Sequence, residues 1–162
     1  LALDDTIAIL SQAPLLGHLE RDALRLVAFS AETRRLRTNE ILFREGERSD
    51  GGYVVLSGEI AASRAASGEV TLAGPGSLVG RTALFVRIVR PASAIAREPT
   101  TLLRISPTLM RRLLEEFPSA AGEVREALAQ DLTELSDGLE RVRRMLLAID
   151  EKRPPIKAPG SP

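Results

Sequence analysis

An α+β protein is predicted, with an antiparallel, jelly-roll-like β-roll (a double-stranded β-helix) held between helical flanks. Three observations carry that prediction. Residues 31–80 hold eight glycines, at 46, 51, 52, 58, 68, 74, 76 and 80, separated by short runs of Val, Ile, Leu and Tyr. Such spacing marks short strands joined by tight turns. Both flanks change to helical periodicity, and the C-terminal one carries a seven-membered apolar seam.

The first flank, "DDTIAILSQAPLLGHLERDALRLVAFS", places Leu19, Ala23, Leu26 and Val27 at helical spacing. "APLLGHL" breaks it into two segments, and Glu20 and Asp22 suit the start of the second, where partial positive charge collects. After the roll, "SAIAREPTTLLRIS" supplies two further strands on either side of "REPT". Ser106 followed by Pro107 is a helix start: a hydroxyl to cap, then a residue with no N–H to leave unpaired. That helix should stop at Pro118, and Ser119 should cap a second, long one over 119–150. On it Leu128, Leu132, Leu135, Leu139, Val142, Leu146 and Ile149 recur at intervals of four and three, the pattern of a two-stranded seam. The expectation is a homodimer through this helix, with the alternative that it packs on its own domain along a wider stripe. Gly138 lies off the seam and marks a bend. The predicted division is therefore a ligand-binding roll at 1–118, a dimerisation helix at 119–150 and a disordered, proline-rich tail at 151–162.

Totals narrow the function. The 162 residues contain 44% hydrophobic and 27% charged side chains, with 22 acidic and 22 basic, so no global charge favours nucleic acid or an anionic membrane. Cysteine is absent, which excludes disulfides, thiolate nucleophiles and cysteine-bound metals. No apolar run is long enough to span a bilayer and the start lacks a basic leader, so a cytoplasmic location is expected. The chain opens on leucine, as a piece of a longer protein would. The cations are nearly all arginine, and their scatter points to compositional bias more than to one anion-binding face. His18 is the only histidine, which leaves neither a metal set nor a Ser-His-Asp triad. "GPGSLVG" lacks the Lys-Ser/Thr of a phosphate-binding P-loop, and "RVRRM" reads as solvated flanks of the seam. No enzyme and no cofactor are expected.

The remaining motif is "VGRTALFVRIVRPAS", residues 79–93. Helices, a glycine-punctuated roll and two closing helices resemble the cyclic nucleotide-binding domain family, above all the sensory halves of catabolite-activator-type regulators. "RTNEILFREGERSDGGYVVLSGEIAAS" is similar to that family's glycine pattern. Its phosphate cassette runs Phe-Gly-Glu, two residues, Leu, five residues, Arg, then small residues. Here the match is Val79-Gly80-Arg81-Thr82-Ala83-Leu84, five residues, then Arg90-Pro91-Ala92-Ser93. The resemblance implies that Arg90 binds the cyclic phosphate, with Gly80 and amides at Thr82 and Ala83 beside it. It implies cyclic AMP, cyclic GMP or another anionic nucleotide as ligand, and Thr133 and Ser136 of the long helix against the base.

Two departures stand out. Arg81 occupies the place of the family's glutamate, whose carboxylate accepts from the ribose 2′-hydroxyl, and arginine offers no acceptor. Pro91 has no N–H where the family donates one, although the Ser93 hydroxyl is close in sequence. Three readings stay open: Arg81 is a second cation for a more highly charged ligand, it pairs within a pocket that binds nothing, or the pocket takes a cyclic nucleotide weakly. The expected function is a regulatory, signal-transducing sensor with altered or weakened binding, coupled to the dimer helix and to an unknown downstream protein. The alternatives are a non-binding interaction module of the same fold and the sensory half of a DNA-binding regulator.

Overall fold

The computed structural model describes residues 2–129 and 136–151, the side chains of 127–129 and 136–141 excepted. Helices α1 (Leu3–Leu10) and α2 (Arg21–Ser30) precede eight strands. These are β1 (Glu32–Leu36), β2 (Ile41–Phe43), β3 (Gly52–Ser57), β4 (Ile60–Ser63), β5 (Val70–Ala73), β6 (Leu78–Val79), β7 (Ser93–Ala96) and β8 (Thr100–Ile105). A 3₁₀ turn, Thr82–Leu84, lies between β6 and β7, and α3 (Pro107–Glu116), α4 (Pro118–Ala129) and α5 (Ser136–Glu151) follow.

All strand pairs are antiparallel, in two four-stranded sheets ordered β1-β8-β3-β6 and β2-β7-β4-β5. The predicted roll is therefore present. The strands around "REPT" pair with different sheets, so β7 and β8 carry the chain from one sheet to the other. β3 is buried from Gly52 to Leu56, with both its faces covered there, and ends on the exposed Ser57. Val54 and Leu56 join the cluster under the helices, whereas Tyr53 and Val55 face the space between the sheets. Ser106 caps α3, its Oγ accepting from the Leu109 N–H at 3.1 Å.

The C-terminal flank differs from expectation. Pro118 does not merely stop α3; it is the first residue of α4, where a missing N–H costs nothing. Ser119 Oγ donates instead to Glu20 Oε1 at 2.9 Å, tying α4 to the start of α2. The helix expected over 119–150 is described as α4 and α5, with residues 130–135 between them outside what is described. Arg125 of α4 forms an ion pair with Asp150 of α5, whereas 25 residues of one helix would hold them about 37 Å apart. The chain therefore doubles back.

Val142, Leu146 and Ile149, expected in a dimer seam, are buried with Met145 in the chain's own core beside α1–α4. Met145 is the reason: it widens the seam to i, i+3, i+4, i+7, the stripe of a helix packed on its own domain. Of the rest of the expected seam, Leu132 and Leu135 lie outside the described residues, as do the side chains of Leu128 and Leu139 and the tail 152–162. No described helix is long and apolar enough to cross a membrane.

Candidate ligand-binding site

The segment 80–93 leaves β6, makes the 3₁₀ turn and returns to β7. Its return is strapped to the turn between β2 and β3. The Ser49 N–H donates to Ile88 O, and the Ile88 N–H donates to Ser49 Oγ, both at 2.8 Å. The Arg90 N–H donates to Glu47 O at 2.8 Å and its carbonyl accepts from the Gly46 N–H at 2.9 Å. Arg90 thus starts from a fixed backbone, and its side chain turns inward.

That side chain is the centre of the site. Arg90 is 2% exposed, an unusual place for a cation. Its Nη2 donates to Gly51 O at 2.8 Å and to Asp50 Oδ1 at 3.2 Å. Its guanidinium lies over the Phe43 ring, 3.9 Å from the centroid, with Tyr53 at 5.8 Å. Nε and Nη1 have no hydrogen-bond partner, and among the described residues they are the only buried side-chain nitrogens or oxygens of which this is true. Arginine has five N–H donors, so this buried fork is left with three unmet. Burial pulls its pKa below the ordinary arginine value, while Tyr53 and Asp50 pull it back up.

Gly80 completes the cradle. It adopts φ +80°, and a Cβ there would lie 2.7 Å from Arg90 Nη1. A side chain there would clash with the guanidinium, so glycine is what lets Nη1 come this close to the backbone.

Behind Arg90 stands a polar chain. The Tyr53 hydroxyl donates to Asp50 Oδ1 at 2.9 Å and accepts from Arg34 Nη1 at 3.0 Å. Burial first, then Asp50, hold the Tyr53 phenol above its ordinary pKa, with Arg34 opposing. Arg104 Nη1 donates to Asp50 O at 2.7 Å, so the loop bearing Asp50 is held from β8 as well. In front, strand register sets Phe43, Ala94, Ala62 and Thr71 in one row across the second sheet, on its inner face. Two alanines in mid-row leave room between Phe43 and the exposed Thr71 at the edge.

Of the residues expected at the site, Gly80 and Arg90 are brought into direct contact distance. Thr82 and Ala83 are buried in the turn, and Arg81 beside them is half-buried. Pro91 is exposed and Ala92 half-buried. Ser93 Oγ accepts from the Glu45 N–H at 2.9 Å, which ties β7 to the β2–β3 turn. Thr133 lies outside the described residues, as does the side chain of Ser136, whose backbone opens α5. Sequence reasoning missed Phe43, Asp50, Gly51 and Tyr53, which lie about forty residues from Arg90 along the chain. A surface hollow of about 320 Å³, lined by Arg48, Arg87, Ile88 and Val89, adjoins the strap without including Arg90.

Residues 33–117 match the family model described as cyclic nucleotide-binding domain. Among solved structures, a cyclic nucleotide-binding-like protein from Brucella abortus is 37% identical, with TM-score 0.61, over 69% of this chain and 99% of that one. A lysophospholipase from Phaeosphaeria nodorum is 27% identical over 81% of this chain, which spans only 9% of that protein. The regulatory subunit of a cAMP-dependent protein kinase from Yarrowia lipolytica is 26% identical over 76% of this chain and 32% of its own length.

Proposed function

Because the chain belongs to the cyclic nucleotide-binding domain family, we propose that it is a regulatory sensor whose Arg90 cradle receives the phosphate of a cyclic nucleotide. One observation carries this reading: a guanidinium sealed in the roll with Nε and Nη1 unpaired. Burying such donors without partners is costly, and an anion offering two oxygens meets them with charge-assisted bonds. Gly80 supports it by placing backbone without a side chain beside Nη1. Asp50 engages only Nη2, so it balances the charge without covering the edge that would face an anion.

The ligand is cyclic AMP or cyclic GMP, held more weakly than a site with a carboxylate at position 81 would hold it. Arg81 cannot accept from a ribose hydroxyl, and one hydrogen bond to a charged group is worth about 1.5–3 kcal/mol, or about ten- to a hundredfold in affinity. Output runs through α5, which packs against the 3₁₀ turn of the same loop. Catalysis is not part of this unit, and the lysophospholipase name belongs to proteins of which it spans a tenth or less.

A second reading, a non-binding module of the same fold, draws on Pro91, which has no N–H to offer a phosphate. Calorimetric titration with cyclic AMP, cyclic GMP and a cyclic dinucleotide separates the two. The sensor reading expects saturable binding of a cyclic mononucleotide that Arg90→Ala weakens by about a hundredfold or more. Absence of heat with every nucleotide favours the non-binding module, and preference for the dinucleotide assigns Arg81 to a second phosphate.

A further inference from the structure

The Arg90 guanidinium rests on an aromatic face whose purpose neither its polar contacts nor the roll's packing explains. A buried arginine carries long, rotatable torsions and would ordinarily turn its plane until every donor met an acceptor. Here Nε and Nη1 remain unpaired, and the second carboxylate oxygen of Asp50 accepts from the Tyr53 hydroxyl at 3.2 Å. The group that lies against the plane itself is Phe43, with the guanidinium carbon 3.9 Å from the ring centroid. A ring face attracts a cation flat against it, and the attraction strengthens where water is excluded. Phe43 is itself buried at the end of β2, and its register with Ala94 fixes where the ring stands.

We propose that Phe43 is a positioning residue for anion binding: its ring face holds the Arg90 guanidinium so that Nη1 stays beside Gly80 and the Nε–Nη1 edge stays unpaired. This rests on the sensor reading above and assigns that site its orienting element. Asp50 and Gly51 hold one corner of the fork, and a single corner leaves the plane free to swing about it. The ring removes that freedom. An arriving phosphate then meets two donors already aligned, without the cost of ordering them.

The test changes the electrons of the ring and leaves its shape nearly intact. Position 43 is replaced in the whole chain by 4-fluoro-, 3,5-difluoro- and 3,4,5-trifluorophenylalanine, and cyclic AMP binding is measured for each beside F43L. Affinity is expected to fall stepwise with fluorine count, by about tenfold across the series, and by at least as much in F43L. Melting temperatures of the fluorinated proteins stay with the parent, which a purely structural role would not separate from affinity. Unchanged affinity in the trifluorinated protein overturns the proposal, and because that variant keeps the ring's volume it does so even if F43L fails to fold. Should the parent bind neither cyclic AMP nor cyclic GMP, the sensor reading fails by itself. The positioning role is then decided on the ligand-free protein by the ¹⁵Nε signal of Arg90: faster exchange and broadening on trifluorination support it, and an unmoved signal overturns it.

Discussion

The two sides of the first sheet are built from the same strands and do opposite work. Toward the helices, Val54, Leu56, Leu103 and Ile105 meet Leu113, Met110, Leu16 and the stripe of α5, with large aliphatic groups filling the space. Toward the second sheet, Tyr53, Val55 and Leu102 face Ile60, Ala94 and Ala96, and a charged side chain enters among them. One side excludes everything. The other keeps small residues and an unsatisfied cation. Alternation along β3 and β8 makes this possible, since neighbouring residues point to opposite faces.

The comparison breaks most sharply at Leu113, which is fully buried on the helix side. Leu113→Ala should cost about 2–5 kcal/mol of folding stability, read by chemical denaturation, while nucleotide affinity of the folded fraction changes little. Ile149→Ala belongs with it: loss of stability there, without loss of any self-association, would tie α5 to its own core.

On the roll side, Gly80→Ala should cost about 1–2 kcal/mol from the left-handed backbone alone. Its Cβ also meets Nη1, so calorimetry should show binding reduced by about tenfold or more, a larger proportional loss than stability suffers. Arg81→Glu is expected to move affinity the other way, tightening cyclic AMP by about tenfold by restoring an acceptor for the ribose hydroxyl. A weaker variant would remove the weakened-site reading and leave Arg81 as a cation for the ligand.

The smallest effect is spectroscopic. Tyr53 is the only tyrosine and tryptophan is absent, so phenolate absorbance reports on it alone. Its midpoint should lie above the ordinary value of about 10, and Asp50→Asn should bring it down by removing the negative charge beside the phenol and weakening the bond it donates. The folded state holds this proton more tightly than the unfolded one. Its contribution to stability is therefore complete below pH ~10 and is lost as pH rises through the folded value.

Much of this was legible along the chain. Glycine spacing marked the roll, Ser106-Pro107 marked the start of α3, and the interval from Gly80 to Arg90 marked the loop, because turns, caps and short loops are decided by neighbouring residues. The second half of the C-terminal flank was not legible. An a/d seam with Met145 beside it reads equally as a helix that pairs with another copy and one that folds onto its own domain. The pairing of Arg125 with Asp150 places α5 against α4 of its own chain. Asp50 and Phe43 were equally hidden, one exposed acid among many and one aromatic among apolar residues.

By itself, then, the order of amino acids determined the strands, the turns between them, the cap of α3 and the glycine–arginine interval, all set by backbone preferences over a few residues. Only the tertiary structure decided that Arg90 would be buried, that the Phe43 ring would lie beneath its guanidinium and that Asp50 would meet one corner of its fork. Those contacts join segments about forty residues apart, and their energies exist only once two sheets have closed and water has left the space between them.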